Sequence, residues 1–378
     1  MPEKHYPGET VGIIGNSMAS ALLAQSAGKL GYRVASLVTT ELNPVRQFSS
    51  WQTVTQRLTD EVLQQFGSRV DVIVTEKNLL TNRDYLLLNE LTDLPLSEDL
   101  IAITTDRLIE KAYLDSIKAL VAPFSMVTNL SDIKEAVEYI GFPCILKTTQ
   151  RHTDHAHDHI VLYSEDDFPE AEAKVEESTC ILEAWIPAEK KASLTVIRNE
   201  RGEVLIYPIF EVIQSETTGT QVRYPASVQA PIEQEINRLG LMIAESLNLI
   251  GSLTIQFLIT SAGVIYINNA SIGLNEEAIF TIGSMSQSHF DVSLRALVGL
   301  PLPELRPLSK AAIAIPIASL NTEKVLTQYM LRTDWSFVLF NPMGNQPQDL
   351  MGHVIITGDT IAGCERQIEL TEINRFDD

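Results

Sequence analysis

Residues 10–38 read TVGIIGNSMASALLAQSAGKLGYRVASLV. Val11–Ile14 is a short apolar run that ends at Gly15, and a helical pattern follows it through Leu30. Gly31 closes that helix, and Arg33–Val38 reads as a second strand. Further strands are expected over Asp71–Thr75 and Ile101–Thr104. Strands that alternate with helices imply a parallel sheet with right-handed crossovers. Residues 1–103 therefore read as one α/β domain.

Moving outward, a helix is expected over Thr105–Ile117. A second is expected over Ser131–Ile140, with Ser131 as N-cap, Gly141 at its end and Pro143 beyond. Cys144–Thr148 and Ile181–Ile186 are short buried-strand candidates, and the polar stretch RHTDHAHDH (Arg151–His159) is expected on a loop or hairpin tip. From Ser193 the pattern changes to antiparallel hairpins. SLTVIR and EVLIYPIFEV flank the turn Asn199–Gly202, and LTIQFLIT and VIYINNA flank Ser261–Gly263. Ile232–Leu249 and Phe290–Val298 carry helical patterns. Pro301, Pro303 and Pro307 lead into a small β-rich piece from residue 311. The expected division is 1–103, 104–186, 187–310 and 311–378.

Composition narrows the function classes. The chain has 378 residues, 45% hydrophobic and 20% charged, enough to build a packed core. Its formal charge of −21 repels phosphate backbones, which argues against general nucleic-acid binding. Cys144, Cys180 and Cys364 are too widely spaced for a disulfide framework or a paired zinc motif, and read as small buried hydrophobes in a reducing cytoplasm. No apolar run reaches the ~20 residues that span a bilayer, so a membrane partner is not expected.

An α/β domain, a small α+β lid and a long antiparallel domain form the layout of ATP-grasp ligases. Six stretches resemble one family in order: LGYRV (30–34), TDRLIEKAYL (105–114), GFPCILKT (141–148), YPIFEV (207–212), RALVGLPL (295–302) and MGHVIITGD (351–359). The family is the N5-carboxyaminoimidazole ribonucleotide synthetases, the ATPase subunits of phosphoribosylaminoimidazole carboxylase. The resemblance implies an ATP- and Mg²⁺-dependent carboxylation of aminoimidazole ribonucleotide by bicarbonate, and a homodimer.

By the same resemblance, Lys147 matches a lid lysine on the ATP phosphates and Arg107 an arginine near them. Glu183 matches the glutamate that precedes the adenine-contacting linker Ala184, Trp185 and Ile186. A lysine at a strand end can equally snorkel to the surface, and Glu183 can equally be an ordinary strand-end carboxylate. Other positions depart from the family. Lys191 stands where a ribose-binding glutamate is expected, a donor-only cation in place of an acceptor. In the phosphate loop only Asp154 is kept; Arg151, His152, His155 and His157 occupy glycine positions and Ala156 replaces a lysine. Gln256 and Asn269 fall where two metal carboxylates are expected, beside a retained Asn268. Mg²⁺ favours carboxylate and phosphate oxygens, so two neutral amides weaken that site.

On the substrate side, Gly15 and Asn16 open a divergent GNSMAS segment, and Glu76 alone remains of a motif that continues Lys77-Asn78-Leu79. Pro342, Asp349 and Leu350 replace phosphate-gripping cations. Arg295 is retained, and reads either as substrate ligand or as a surface ion pair. Three functions stand open. The first is a catalytically impaired or inactive paralogue, a pseudoenzyme with a regulatory or partner-binding role or a different small-molecule ligand. The second is a working ligase that uses Lys147, Arg107, Glu183 and Glu211, its metal rescued by Glu276 or Glu277. The third rests on the histidines: in an extended loop His155, His157 and His159 share a face, a Zn²⁺ or Ni²⁺ ligand set, although a solvated hairpin explains them as well.

Overall fold

The computed structural model describes residues 4–76, 79–151, 159–215, 219–340 and 351–375. Two compact units emerge: Met1–Leu96 with Ala192–Thr254 and Gly273–Asp378, and Ser97–Lys191 with Ile255–Ile272.

The first unit opens on the expected parallel sheet, ordered Trp51–Val54, Arg33–Val38, Thr10–Ile14, Val72–Thr75. The burial of Thr10–Ile14 is continuous, as a strand covered on both faces requires. Met18–Lys29 is the first helix, N-capped by the Ser17 hydroxyl, which accepts the Ser20 N–H. It packs on the helix His289–Leu297, where Ser26 donates to Asp291 (2.7 Å). A second, antiparallel sheet runs Glu211–Ser215, Gly219–Tyr224, Ala311–Pro316, Met351–Gly358, Trp335–Phe340. One hydrophobic core joins Val11, Ile13 and Leu23 to Tyr207, Phe210, Phe280 and Ile355.

The second unit is built on an antiparallel sheet ordered Phe124–Val127, Cys180–Ala184, Cys144–Thr148, His159–Leu162. The helices Leu130–Ile140 and Phe168–Glu177 cover it around Ile133, Phe168 and Leu182. The hairpin that ends in Ile265–Ile272 lies against its other segments, with Ile267 donating to the Leu120 carbonyl (2.8 Å).

Several expectations change. Ile101–Thr104 is helical, inside Glu98–Thr105, which is N-capped by the Ser97 hydroxyl as it accepts the Leu100 N–H; the Thr104 and Thr105 hydroxyls bond back to carbonyls one turn earlier. A four-residue apolar run cannot by itself separate strand from helix. The following helix is Arg107–Ser116, capped by Asp106, and the next begins at Leu130 with Asn129 rather than Ser131 as its cap. EVLIYPIFEV is not one strand: Val204–Ile206 and Glu211–Ser215 join different sheets, with Pro208 between them. The segment after residue 311 adds the helices Thr322–Leu331 and Ile361–Thr371 to its three strands, each capped by a side chain, Asn321 and Thr360. All three cysteines are buried and free; burial foremost pushes the Cys144 and Cys364 thiols up to about 11.

Candidate functional site

The second unit holds a cluster of charge built by one helix and three strands. Asp106 starts the helix Arg107–Ser116 by accepting the N–H groups of Leu108 (2.8 Å) and Ile109 (3.1 Å). Its other oxygen takes the Gln150 amide (2.5 Å), and the Arg107 N–H donates to the Thr149 carbonyl (2.8 Å). The chain that leaves the strand Cys144–Thr148 is thereby tied to the start of the helix. Arg107, Glu110 and Lys111 then share one face at spacings of three and four. On the sheet, Lys147 lies opposite Ile181 and His159, and Glu183 opposite Ile145, which puts Lys147 and Glu183 on one face as diagonal neighbours.

These residues line a cavity of about 160 Å³ with Arg151, His159, Asn268 and Asn269. Lys147 Nζ donates to Glu183 Oε2 (3.0 Å), and Lys111 Nζ lies 3.8 Å from the same oxygen. Lys111 is 2% exposed and also donates to the carbonyls of Asn268 (3.0 Å) and Ile267 (3.4 Å). Burial raises the cost of charging Glu183, but Lys111, Lys147 and Arg107 outweigh it and hold the carboxyl below its usual range. Burial lowers the Lys111 pKa, with Glu183 and Glu110 opposing.

Glu110, 1% exposed, is satisfied by the Ala270 N–H and by the Arg151 guanidinium. Arg151 also donates to the Thr104 carbonyl (2.7 Å) and to Asn269 Oδ1 (3.2 Å). Arg107 Nη1 donates to the carbonyls of Thr148 (2.8 Å) and Gln150 (3.2 Å). Four fixed cations thus face two carboxylates that are both already paired. Such a cavity is suited to an anion.

The two positions expected to carry metal carboxylates hold amides. Asn269 offers a neutral oxygen that already accepts from Arg151, and Gln256 on the neighbouring strand is another amide. Among the described residues no three or more His, Cys, Asp or Glu side chains are grouped to hold a metal ion. His159 begins a strand beside Lys147, whereas His155 and His157 lie outside the described residues.

Of the other named positions, Trp185 is exposed and follows the strand Cys180–Ala184, its N–H on the Pro143 carbonyl (3.1 Å); Ile186 comes next, and Lys191 is exposed on Ala188–Arg198. The remaining positions belong to the first unit. Glu76 Oε1 accepts the Ser17 N–H (2.5 Å) and the Ser20 hydroxyl (2.6 Å), so a carboxylate of the chain sits at the helix N-terminus. Gly15 passes so close to that carboxyl that a Cβ there would overlap it. Asn16 closes a pair of hydrogen bonds with Thr39 (2.7 and 3.0 Å). Glu276 accepts the Ala19 N–H (3.3 Å), and the Glu277 N–H donates to Asn275 (3.0 Å). Arg295 donates to the Pro301 carbonyl (2.9 Å), and Glu211 accepts the Ser227 N–H (2.7 Å). Lys77, Asn78, Pro342, Asp349 and Leu350 lie outside the described residues.

Glu110 and Lys111 escape the reading of the sequence as site residues, and Arg151 enters it only as an intruder in a glycine position. The available signal is that Glu110 and Lys111 fall on the helix face that Arg107 begins.

A family model for the ATP-grasp domain matches residues 112–290. The N5-carboxyaminoimidazole ribonucleotide synthase of Bacillus subtilis (strain 168) is 31% identical over 300 residues, 79% of this chain and 78% of its own. That of Staphylococcus aureus (strain N315) is 28% identical over 364 residues, 96% of each chain. Among solved structures, an ADP complex of an N5-carboxyaminoimidazole ribonucleotide synthetase matches with a TM-score of 0.90 at 29% identity, over 99% of this chain and 98% of that one. An N5-carboxyaminoimidazole synthetase structure from Staphylococcus aureus matches with a TM-score of 0.86 at 26% identity, over 98% of both chains. The fold, the order of its motifs and these similarities agree that the chain belongs to the N5-carboxyaminoimidazole ribonucleotide synthase family, built on the ATP-grasp fold.

Proposed function

We propose that this chain is a nucleotide-binding member of the family whose carboxylation of aminoimidazole ribonucleotide is impaired or absent. One observation carries the reading: the Arg151 guanidinium donates to Asn269 Oδ1 while paired with Glu110, where a metal carboxylate would be needed. Carboxyphosphate formation from ATP and bicarbonate concentrates negative charge on transferring phosphoryl oxygens, and a bound Mg²⁺ supplies its compensation. In this reading Arg107, Lys147 and Lys111 face the nucleotide phosphates, Glu183 orients the two lysines, and Trp185, Ile186 and Lys191 flank the nucleoside.

The second reading is an active ligase, on the same or an altered substrate. The Lys111–Glu183–Lys147 arrangement favours it, because an unused site has no need of two lysines on one buried carboxylate. Gly15, Asn16, Glu76 and Arg295 are then substrate residues, with Glu276 or Glu277 recruited to a metal. In either reading we place the chain in the cytoplasm as a homodimer, with a small-molecule or protein partner and the four segments 1–103, 104–186, 187–310 and 311–378. A coupled ADP-release assay with ATP, Mg²⁺, bicarbonate and aminoimidazole ribonucleotide separates the two. The first reading expects release that depends on aminoimidazole ribonucleotide to be at or only slightly above the enzyme-free background. Release at the rate of an intact family member measured beside it establishes the second.

A further inference from the structure

We infer that Arg151 is a built-in cation that lets this pocket hold a polyphosphate anion without a divalent metal. The inference deepens the nucleotide-binding reading and rests on it for the identity of the ligand, but its basis is the electrostatics of the cavity. Arg151 is only 15% exposed at its side chain and is fixed from three sides, by Glu110, the Thr104 carbonyl and Asn269 Oδ1. A guanidinium held by carboxylate, carbonyl and amide oxygens keeps its place whether or not a ligand arrives.

The charges settle which ligand fits. Arg107, Lys111, Lys147 and Arg151 bring four positive charges, against two negative ones from Glu110 and Glu183. Each carboxylate is spoken for, Glu110 by Arg151 and Glu183 by the two lysines. An incoming dication meets a net positive cavity and amide oxygens, whereas a di- or triphosphate meets donors already oriented. This surplus stands inside a chain of formal charge −21, so it is a local feature and not a consequence of a basic protein. Free Mg²⁺ then competes with the pocket for the phosphates rather than bridging the two.

The test is calorimetric titration of the whole protein with ATP, and separately with inorganic tripolyphosphate, in EDTA and in excess MgCl₂. The expected result is saturable binding of both in EDTA, with affinity unchanged or lower in MgCl₂. Arg151→Gln should weaken ATP binding in EDTA by about tenfold or more. Because that change strands Glu110, the double variant Arg151→Gln with Glu110→Gln, checked for fold by circular dichroism, is measured beside it; it keeps the cavity's net charge and should show a smaller but still measurable loss, that of the Arg151 donors alone. ATP binding only in MgCl₂ overturns the inference while leaving the nucleotide reading intact, as does wild-type affinity in the double variant. Tripolyphosphate binding with no response to ATP upholds the inference and removes the nucleotide reading. No binding of either anion removes both.

Discussion

Glu76 and Glu183 are two glutamates at comparable places, each just beyond or within the end of a strand, yet they serve opposite ends. Glu183 faces cations, with Lys147 at 3.0 Å and Lys111 at 3.8 Å, and its cluster retains positive charge for something from outside. Glu76 faces a backbone N–H and a hydroxyl at the N-terminus of Met18–Lys29 and supplies the anion that such a helix end attracts. At Glu76 the chain satisfies its own electrostatics; around Glu183 it leaves a local positive surplus that an anion could answer.

The sharpest way to break this contrast is to remove each carboxylate. Glu183→Ala leaves Lys111 buried without its main counter-charge and should cost about 3–5 kcal/mol, read as a lower urea midpoint. Replacing Lys111 by Met and Glu183 by Leu together should cost markedly less than the single change; an equal cost would mean that shape, not charge, dominates there. Glu76→Ala removes a cap-like acceptor and should cost about 1–2 kcal/mol. Gly15→Ala crowds the same carboxyl and should destabilise by about 1–3 kcal/mol. Combined, the last two should be less than additive, since the methyl then enters the space that Glu76 vacates; strict additivity would deny that the two touch.

Smaller effects appear in pH profiles. The folded-state pKa of Glu183 lies below its ordinary 4.5. Its contribution is therefore present above pH 4.5 and is lost as pH falls through the lower folded value, so Glu183→Gln should flatten the acid limb of stability. The first unit carries the mirror case in His5, 3% exposed between Glu9 (2.8 Å) and Asp93 (2.9 Å). Burial lowers its pKa, but hydrogen bonds and charge from Asp93 and Glu9 prevail and raise it above 6.5. That contribution is complete below pH 6.5 and fades as pH rises through the folded value. His5→Gln should remove this slope, and thermal melts from pH 6 to 9 would expose its persistence.

How much of this was legible depends on the kind of constraint. Arg33–Val38 and Cys144–Thr148 read correctly to the residue, because glycine and proline bound them and their apolar runs fit buried strands. Ile101–Thr104 did not, since a four-residue apolar run fits strand and helix alike and the signal that favours helix, the Ser97 cap, lies outside it. The family came through its ordered stretches. The site came through only in part: Lys147, Arg107 and Glu183 could be named from the family resemblance, and they do line one cavity. The pairing of Arg151 with Glu110 joins residues 41 positions apart, and no local pattern announces it. Substitutions at Gln256 and Asn269 are visible in the sequence, but the arginine beside Asn269 appears only in three dimensions.

The most direct measurement is transfer of isotopically labelled bicarbonate to aminoimidazole ribonucleotide in the presence of ATP and Mg²⁺. Label transfer should be absent or only slightly faster than without protein. Label accumulating in the acid-labile carboxyamino product, in step with ADP, would contradict that expectation and make the chain a working synthetase.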